Sequence, residues 1–509
     1  MASDLVEEVT PQETESQLVV MFKTASLVKV NGRGLETVSE NVAPVQAVLD
    51  RHHASLKLLF GQDENRLRRD QEEVLKASAE EGEQSAPTGG LPGEEPSGES
   101  AGGNLPDMAS FYYVDGPVEN LESLAAELNE QNLIEAAYIA PPASLPLLVQ
   151  PVVSPHDMDV PPLTPNFEAH QVYLGPAPAG IDAKYAHTVP GGKGAGMKIV
   201  DCEWGWRFTH EDLRMLQGGV VAGTNATDLH YVNHGTAVSG IVSGDVNNIG
   251  ILGIAPDSVF YGSSFVGQSI AVAIKAAADK LRRGDVILLE VHRPGPKTPS
   301  PPQGQKGFIA VEWWPAEFAA IRYAVNKGIV VVEAAGNGSE NLDDPIYNRR
   351  PTGFPTWWRN PFNPQNPSSG AILVGAGCPP AGVHGRDYGP DRSRLDFSNY
   401  GSRVDCQGWG REVTSTGYGD LQGGVSQDLW YTDIFSGTSS ASPMVTGAVL
   451  CVQGIRRRDG RQLLTSPEFR RLLRNTGSPQ QPGPGAPVSQ RIGKRPNLKE
   501  LIPAARRLP

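Results

Sequence analysis

Four short apolar runs constrain this chain most: MKIVD (197–201), DVILLEV (285–291), GIVVVEAAGN (328–337) and AILVGAG (371–377). Each is apolar along its whole length rather than on alternate residues. A strand is written that way only when both of its faces are covered. Between the runs lie TAVSGIVSG, IAVAIKAAADKL and AEFAAIRYAVNKG, which have helical spacing. Strand and helix in alternation predict an α/β fold with a mainly parallel central sheet. The 57 Gly and 43 Pro fit a protein of many loops, not a helical bundle.

The first part of the chain has a different character. LVVMFK (18–23), FYYVDG (111–116) and IEAAYIA (134–140) read as strands. The stretches at 42–60, 66–81 and 119–131 have helical spacing. Together they predict a small α+β domain over 1–140. Residues 77–105 are rich in Ser, Gly, Glu and Pro, cannot bury a core, and read as a disordered acidic insert. The Pro-rich tract 141–169 reads as an extended linker to a domain at 170–509.

Composition removes several classes of function. A net charge of -13 opposes nucleic-acid binding, because phosphates would repel it. The cysteines at 202, 378, 406 and 451 have no C-x-x-C spacing, which argues for free thiols over zinc or disulfides. The acidic start MASDLVEEVTPQ lacks the basic and apolar regions of a secretory signal, and no run reaches the ~20 apolar residues of a membrane span. The expectation is a soluble protein without a membrane partner, cytoplasmic or exported without a standard signal.

Serine becomes a strong nucleophile only beside a base, with a group to orient that base and donors for the oxyanion. Ser439 lies in FSGTSSASPMVTGAVL (435–450), where small residues precede an apolar helical pattern and place the hydroxyl at a helix N-terminus. His234 opens the small-residue helix HGTAVSG. Asp201 ends MKIVD, where a buried carboxylate needs a donor such as a histidine. A turn or N-cap aspartate fits that strand equally well. Asn337 ends GIVVVEAAGN, where its amide can meet an oxyanion.

Together these motifs, in the order Asp, His, Ser, resemble the subtilisin-like (subtilase) serine peptidases over roughly 170–500. The resemblance implies a three-layer subtilisin-like fold and an endopeptidase working through an acyl-enzyme. Ser439 would be nucleophile, His234 general base, Asp201 its orienting partner, and Asn337 an oxyanion donor. GTSSASP and AAGNG match well. The Asp motif departs: DCEWGWRFTHEDL is about two residues longer than the family's D-x-G turn. NNIGILGIAP (247–256) resembles a calcium loop, which implies Asp212 and Asn248 as ligands of a structural calcium; the chemistry itself requires no cofactor. That loop is about one residue short and lacks a carboxylate cluster. Where the family has a substrate-lining strand, this chain has Glu290, His292 and Arg293. They read either as a charged primary pocket or as a structural polar network. The N-terminal domain resembles the family's propeptide, an intramolecular inhibitor of a self-inhibited precursor whose partner is otherwise a protein or peptide substrate. The alternative is a permanently attached regulatory or partner-binding protein on a peptidase fold.

Overall fold

The computed structural model describes residues 16–147 and 160–509, apart from 32–33, 38–39, 62, 85–104 and 116–118. Its centre is a seven-stranded sheet. In spatial order the strands are Cys406–Trp409, Ile372–Gly377, Val330–Ala334, Val286–Leu289, Lys198–Glu203, Val259–Ser264 and Gln217–Ala222. Every neighbouring pair is parallel. The α/β expectation holds. All four apolar runs become strands, and Ile287, Leu288, Val331 and Val332 have no exposed surface.

Helices cover both faces. Leu229–Ser243 and Thr438–Arg458 pack together on one, while Ile270–Lys280 and Pro315–Asn326 pack together on the other. Close approach is built into the first pair of elements. A Cβ on Gly235 would lie 2.3 Å from the Gly205 carbonyl oxygen, so only glycine lets this helix reach the turn after Lys198–Glu203. Among the described residues the four cysteines are free and buried, as expected. No helix of the described residues is long and apolar enough to cross a membrane.

The first part of the chain forms an antiparallel sheet in the order Ser55–Leu58, Phe111–Asp115, Gln17–Phe22, Ile134–Ala140. The helix over 119–131 is observed as Leu121–Asn129, its N-terminus capped by the Asn120 side chain, which accepts from Ser123 N at 2.8 Å. The helical reading of 42–60 is corrected. The helix stops at Arg51, His53 adopts φ +50°, and Ser55–Leu58 becomes a strand against Phe111–Asp115. Alternation in SLKL, with Leu56 buried and Lys57 exposed, outweighs the helical spacing upstream. The charged helix runs Glu64–Gln84, so the insert begins later than residue 77; its remainder, 85–104, lies outside the described residues.

The tract 141–169, read as an extended linker, is docked at both of its described ends. Residues 143–147 are held in a cleft of the larger unit, and Phe167 is buried with its N–H donated to the Gly250 carbonyl at 2.6 Å. Residues 148–159 lie outside the described residues.

The two sheets share one hydrophobic core, in which Met108, Phe111 and Tyr138 join the interior of the parallel sheet. The Tyr138 hydroxyl accepts from Ala316 N at 3.1 Å, at the start of helix Pro315–Asn326, and the ring meets Phe354 at 4.9 Å. Tyr138→Phe leaves that buried N–H without an acceptor. In a Ser439→Ala background we expect a loss of about 1–3 kcal/mol in stability, measured by urea unfolding.

Candidate active site

Parallel sheets place side chains for chemistry at the carboxyl ends of their strands. Here that edge gathers Glu203, Glu290, Asn337 and, from the start of helix Thr438–Arg458, Ser439. Asp201, Glu203, Glu290, His234 and Ser439 all have no exposed surface.

Strand Lys198–Glu203 runs two residues beyond the point where the sequence reading ends it. Asp201 and Glu203 therefore lie on the same face, and the later of the two takes the strand end. His234 Nδ1 donates to Glu203 Oε2 at 2.8 Å. Asp201 Oδ2 instead accepts from the Trp206 indole N–H at 2.8 Å. The position expected of Asp201, against the imidazole, is occupied by Glu203. The cause is the longer strand: the extra length of DCEWGWRFTHEDL shifts the carboxylate by one same-face step.

The remaining oxygens, Asp201 Oδ1 and Glu203 Oε1, are buried and meet no donor. One proton between the carboxyls satisfies both. Burial raises the proton affinity of each, and the pair titrates as a unit. Burial, the largest effect, raises both carboxyls, while the hydrogen bond between them raises Asp201 and lowers Glu203. Glu203 therefore meets the Asp201 carboxyl on one side and the His234 ring on the other. Burial lowers His234 to about 3, leaving the ring neutral. With its proton on Nδ1, the Nε2 lone pair is free to accept, and Nε2 has no partner.

Glu290 lies in register beside Glu203 on the neighbouring strand, since Leu289 pairs with Cys202. Its Oε1 accepts from Ser442 Oγ at 2.5 Å. Burial pushes this carboxyl well above the usual range; hydrogen bonds from Ser442 and Ser439 oppose the shift. Glu290 is thus fully buried against the start of helix Thr438–Arg458, bonded to Ser442 and Ser439. Arg293 turns away, to a buried ion pair with Glu317 at 2.9 Å. Of the three residues read as substrate-lining, only His292 faces the cleft. Its ring accepts from Asn337 N through Nδ1 at 3.3 Å and meets Ser144 Oγ through Nε2 at 3.1 Å.

Asn337 is oriented by its own acceptor. Its Oδ1 takes hydrogen bonds from Thr438 N and Oγ1, both at 3.0 Å, which turns the amide nitrogen the other way. One amide hydrogen goes to Gln305 Oε1 at 3.0 Å. Gln305 Nε2 donates in turn to the Leu145 carbonyl at 2.6 Å. Gln305 lies in the loop between His292–Pro294 and Phe308–Ala310, a stretch without any motif that marks it in the sequence.

The cleft holds part of this same chain. Ser144 and His292 exchange both backbone hydrogen bonds at 3.1 Å as an antiparallel pair. Two residues on, the Pro146 carbonyl accepts from Ser439 Oγ at 3.3 Å. A Cβ on Gly437 would lie 2.1 Å from that carbonyl oxygen, and Gly437 has φ +101°. The glycine of GTSSASP is what allows a docked carbonyl to approach the serine.

The residues implied for calcium do not fit it. Asp212 Oδ1 accepts from Asn247 Nδ2 at 2.7 Å, and Oδ2 from Ile251 N at 2.6 Å. Burial raises Asp212 to about 7, and Asn248 is exposed. The short loop brings Asn247, not Asn248, to Asp212, and protein donors take up the carboxylate.

The subtilase family model matches residues 220–494, beginning after the segment of Asp201 and Glu203. The thermophilic serine proteinase of Bacillus sp. (strain AK1) is 30% identical over 354 residues, 66% of this chain and 68% of that protein. The alkaline protease of Alkalihalobacillus alcalophilus is 26% identical over 274 residues, 54% of this chain, and the chain spans 58% of that protein. Among solved structures, fervidolysin from Fervidobacterium pennivorans, a keratinolytic enzyme related to subtilisin, aligns with a TM-score of 0.52 and 17% identity. That alignment covers 97% of this chain and 62% of fervidolysin, and it shows a shared fold.

Two substitutions separate the carboxyls. Glu203→Gln offers His234 an amide and should lower peptidase turnover by about 10⁴-fold, as when a triad carboxylate becomes an amide. Asp201→Asn can still accept from Trp206 and donate to Glu203, and should cost ~10-fold or less on the same grounds. The reverse ranking in peptide-hydrolysis assays returns the orienting role to Asp201.

A pH effect follows from the raised carboxyls. A group that binds its proton more tightly when folded contributes fully below its unfolded value, about 4.3 for glutamate, and that contribution is lost as pH rises through the folded value. Glu290→Gln keeps the Ser442 bond and removes one such group. Thermal melts of Ser439→Ala proteins from pH 4 to 8, a range spanning that ~4.3 value, should show the Gln variant losing less stability as pH rises.

Proposed function

Because the chain belongs to the subtilase family of serine peptidases, we propose that it is a serine endopeptidase whose triad is Ser439, His234 and Glu203, and whose first substrate is its own Pro146–Leu147 bond. The observation that carries this is the docked segment 143–147, which runs antiparallel to His292 with the Pro146 carbonyl at Ser439 Oγ. That polarity and reach are those of a bound peptide substrate.

In this reading the Ser439 hydroxyl turns from the Pro146 oxygen to the free Nε2 of His234. Its oxygen attacks the Pro146 carbonyl carbon as the proton passes to Nε2. Glu203 stabilises the resulting imidazolium, with Asp201 sharing the buried charge. The oxyanion is met by the second amide hydrogen of Asn337 and by Ser439 N–H. His234 returns the proton to the Leu147 nitrogen as the C–N bond breaks, and water then hydrolyses the acyl-enzyme.

By the same register Pro146 lies opposite Glu290. Proline brings no N–H to that pairing, so this site tolerates a residue without a donor there. We therefore read the enzyme as able to cut after proline, with Leu145 and Leu147 buried on either side. Before the cut, the unit built on the 17–140 sheet is an intramolecular inhibitor, since it delivers the segment that fills the cleft.

Purified protein incubated with a fluorophosphonate probe should be labelled at Ser439, and Ser439→Ala should not. Intact-mass analysis should find new ends at Pro146 and Leu147 in the wild type and none in Ser439→Ala. Absence of label on every processed form refutes the peptidase reading; label without that cut refutes only the assignment of the bond.

A further inference from the structure

His170, His384 and Asp433 come together away from the triad. One nitrogen or oxygen from each lies within 4.8 Å of the others, and all three residues are half-buried. We propose that they form a zinc site, which clips the start of the larger unit to the hairpin that leads into the nucleophile.

Proton positions fix which imidazole nitrogens can ligate. His384 Nδ1 lies 3.0 Å from the Asp433 backbone carbonyl. A carbonyl only accepts, so Nδ1 carries the hydrogen and Nε2 holds a lone pair. That Nε2 lies 3.6 Å from Asp433 Oδ1. The other carboxylate oxygen, Oδ2, lies 2.9 Å from His170 Nδ1. In a tetrahedral zinc site with bonds of about 2.0–2.2 Å, ligand atoms lie roughly 3.3–3.5 Å apart. Each imidazole lies beside a different oxygen of Asp433, at 2.9 and 3.6 Å, and one donor atom from each of the three residues falls within 4.8 Å of the others, so a small closure brings the set to one ion. Two imidazoles and one carboxylate form a ligand set that suits zinc over calcium or magnesium.

The surroundings are those of oriented ligands. A metal-binding imidazole commonly gives its other N–H to a backbone carbonyl, which is the His384 bond described above. Thr414 Oγ1 donates to Asp433 Oδ1 at 2.8 Å, and Asp433 N donates to Asp420 Oδ2 at 3.0 Å. Glu412 Oε2 stands 3.7 Å from His384 Nδ1. His384 itself has φ +48°, between Gly382 and Gly385, which are also left-handed. A non-glycine residue held there is aimed by its turn at some cost. His170 retains 40% of its side-chain surface, which leaves a face open for zinc and a water molecule.

The three ligands come from separate parts of the chain. His170 follows buried Phe167, His384 sits in the Val383–Gly385 turn, and Asp433 lies on Tyr431–Phe435. That last strand pairs with Val413–Thr416 and runs directly into Gly437 and Ser439. A bound ion would tie the chain just after the segment 148–159 to the hairpin that presents the serine.

The test uses full-length Ser439→Ala protein, stripped with chelator, and zinc alone as titrant. We expect calorimetry to give one zinc per chain with a Kd of about 1 µM or lower, and zinc to raise the thermal midpoint. His170→Gln and His384→Asn should each weaken binding by about 100-fold or more and abolish the midpoint shift. Asparagine is chosen because it tolerates the left-handed turn. Both variants are to be melted without metal; if His384→Asn is unfolded, the half-exposed His170→Gln decides. No uptake by the folded parent, or an unchanged Kd in the folded variant, overturns the site.

Discussion

A carboxylate with no access to water must be met by donors, and the catalytic edge of this protein is arranged around that requirement. Glu203 is fully buried and meets His234 Nδ1 at 2.8 Å. The bond fixes the imidazole tautomer, and so fixes which nitrogen can take a proton. One proton shared with Asp201 satisfies the other oxygen, and Trp206 satisfies Asp201. Glu290 is relieved by Ser442, one turn into the helix that carries Ser439. Each member of the site is held by the need to neutralise its neighbour.

Much of this was legible in the sequence. The four apolar runs became parallel strands because covered strands tolerate no polar alternation. Ser439 and Asn337 were marked by small residues at the start of a helix and the end of a strand. Glu203 was not, since Asp201 and Glu203 share a face and chain order alone cannot choose between them. The one signal was length: two extra residues in the turn equal one same-face step. Glu290, His292 and Arg293 could be placed on a strand, yet their directions depend on partners 24 to 152 residues away, Glu317 and Ser442 among them. Gln305 had no local mark at all, because its role comes only from lying between Leu145 and Asn337.

The docked segment links the two sheets to the chemistry. Ser144 is held by a strand pair, Leu145 by Gln305 and Pro146 by the serine itself. Gln305 touches both the docked backbone and the Asn337 amide, so filling the cleft and orienting Asn337 are coupled through one side chain. The first residues of the Pro-rich tract, 143–147, thus enter the site as a positioned segment, although composition alone read them as part of a spacer.

The shared hydrophobic core between the two sheets has a temporal consequence. Breaking one peptide bond converts a tethered contact into a complex of two chains, but it removes none of the packing around Tyr138, Phe111 and Met108. The local concentration lost with the tether lowers occupancy only as the separated piece escapes, and escape from a core-like contact is slow. In such a protein the cut is not the moment of opening. On the proposed self-cleavage, the delay between them would be a clock whose period is set by the residence time of the small sheet, and changes to that sheet would retime the protein without altering any residue that reacts.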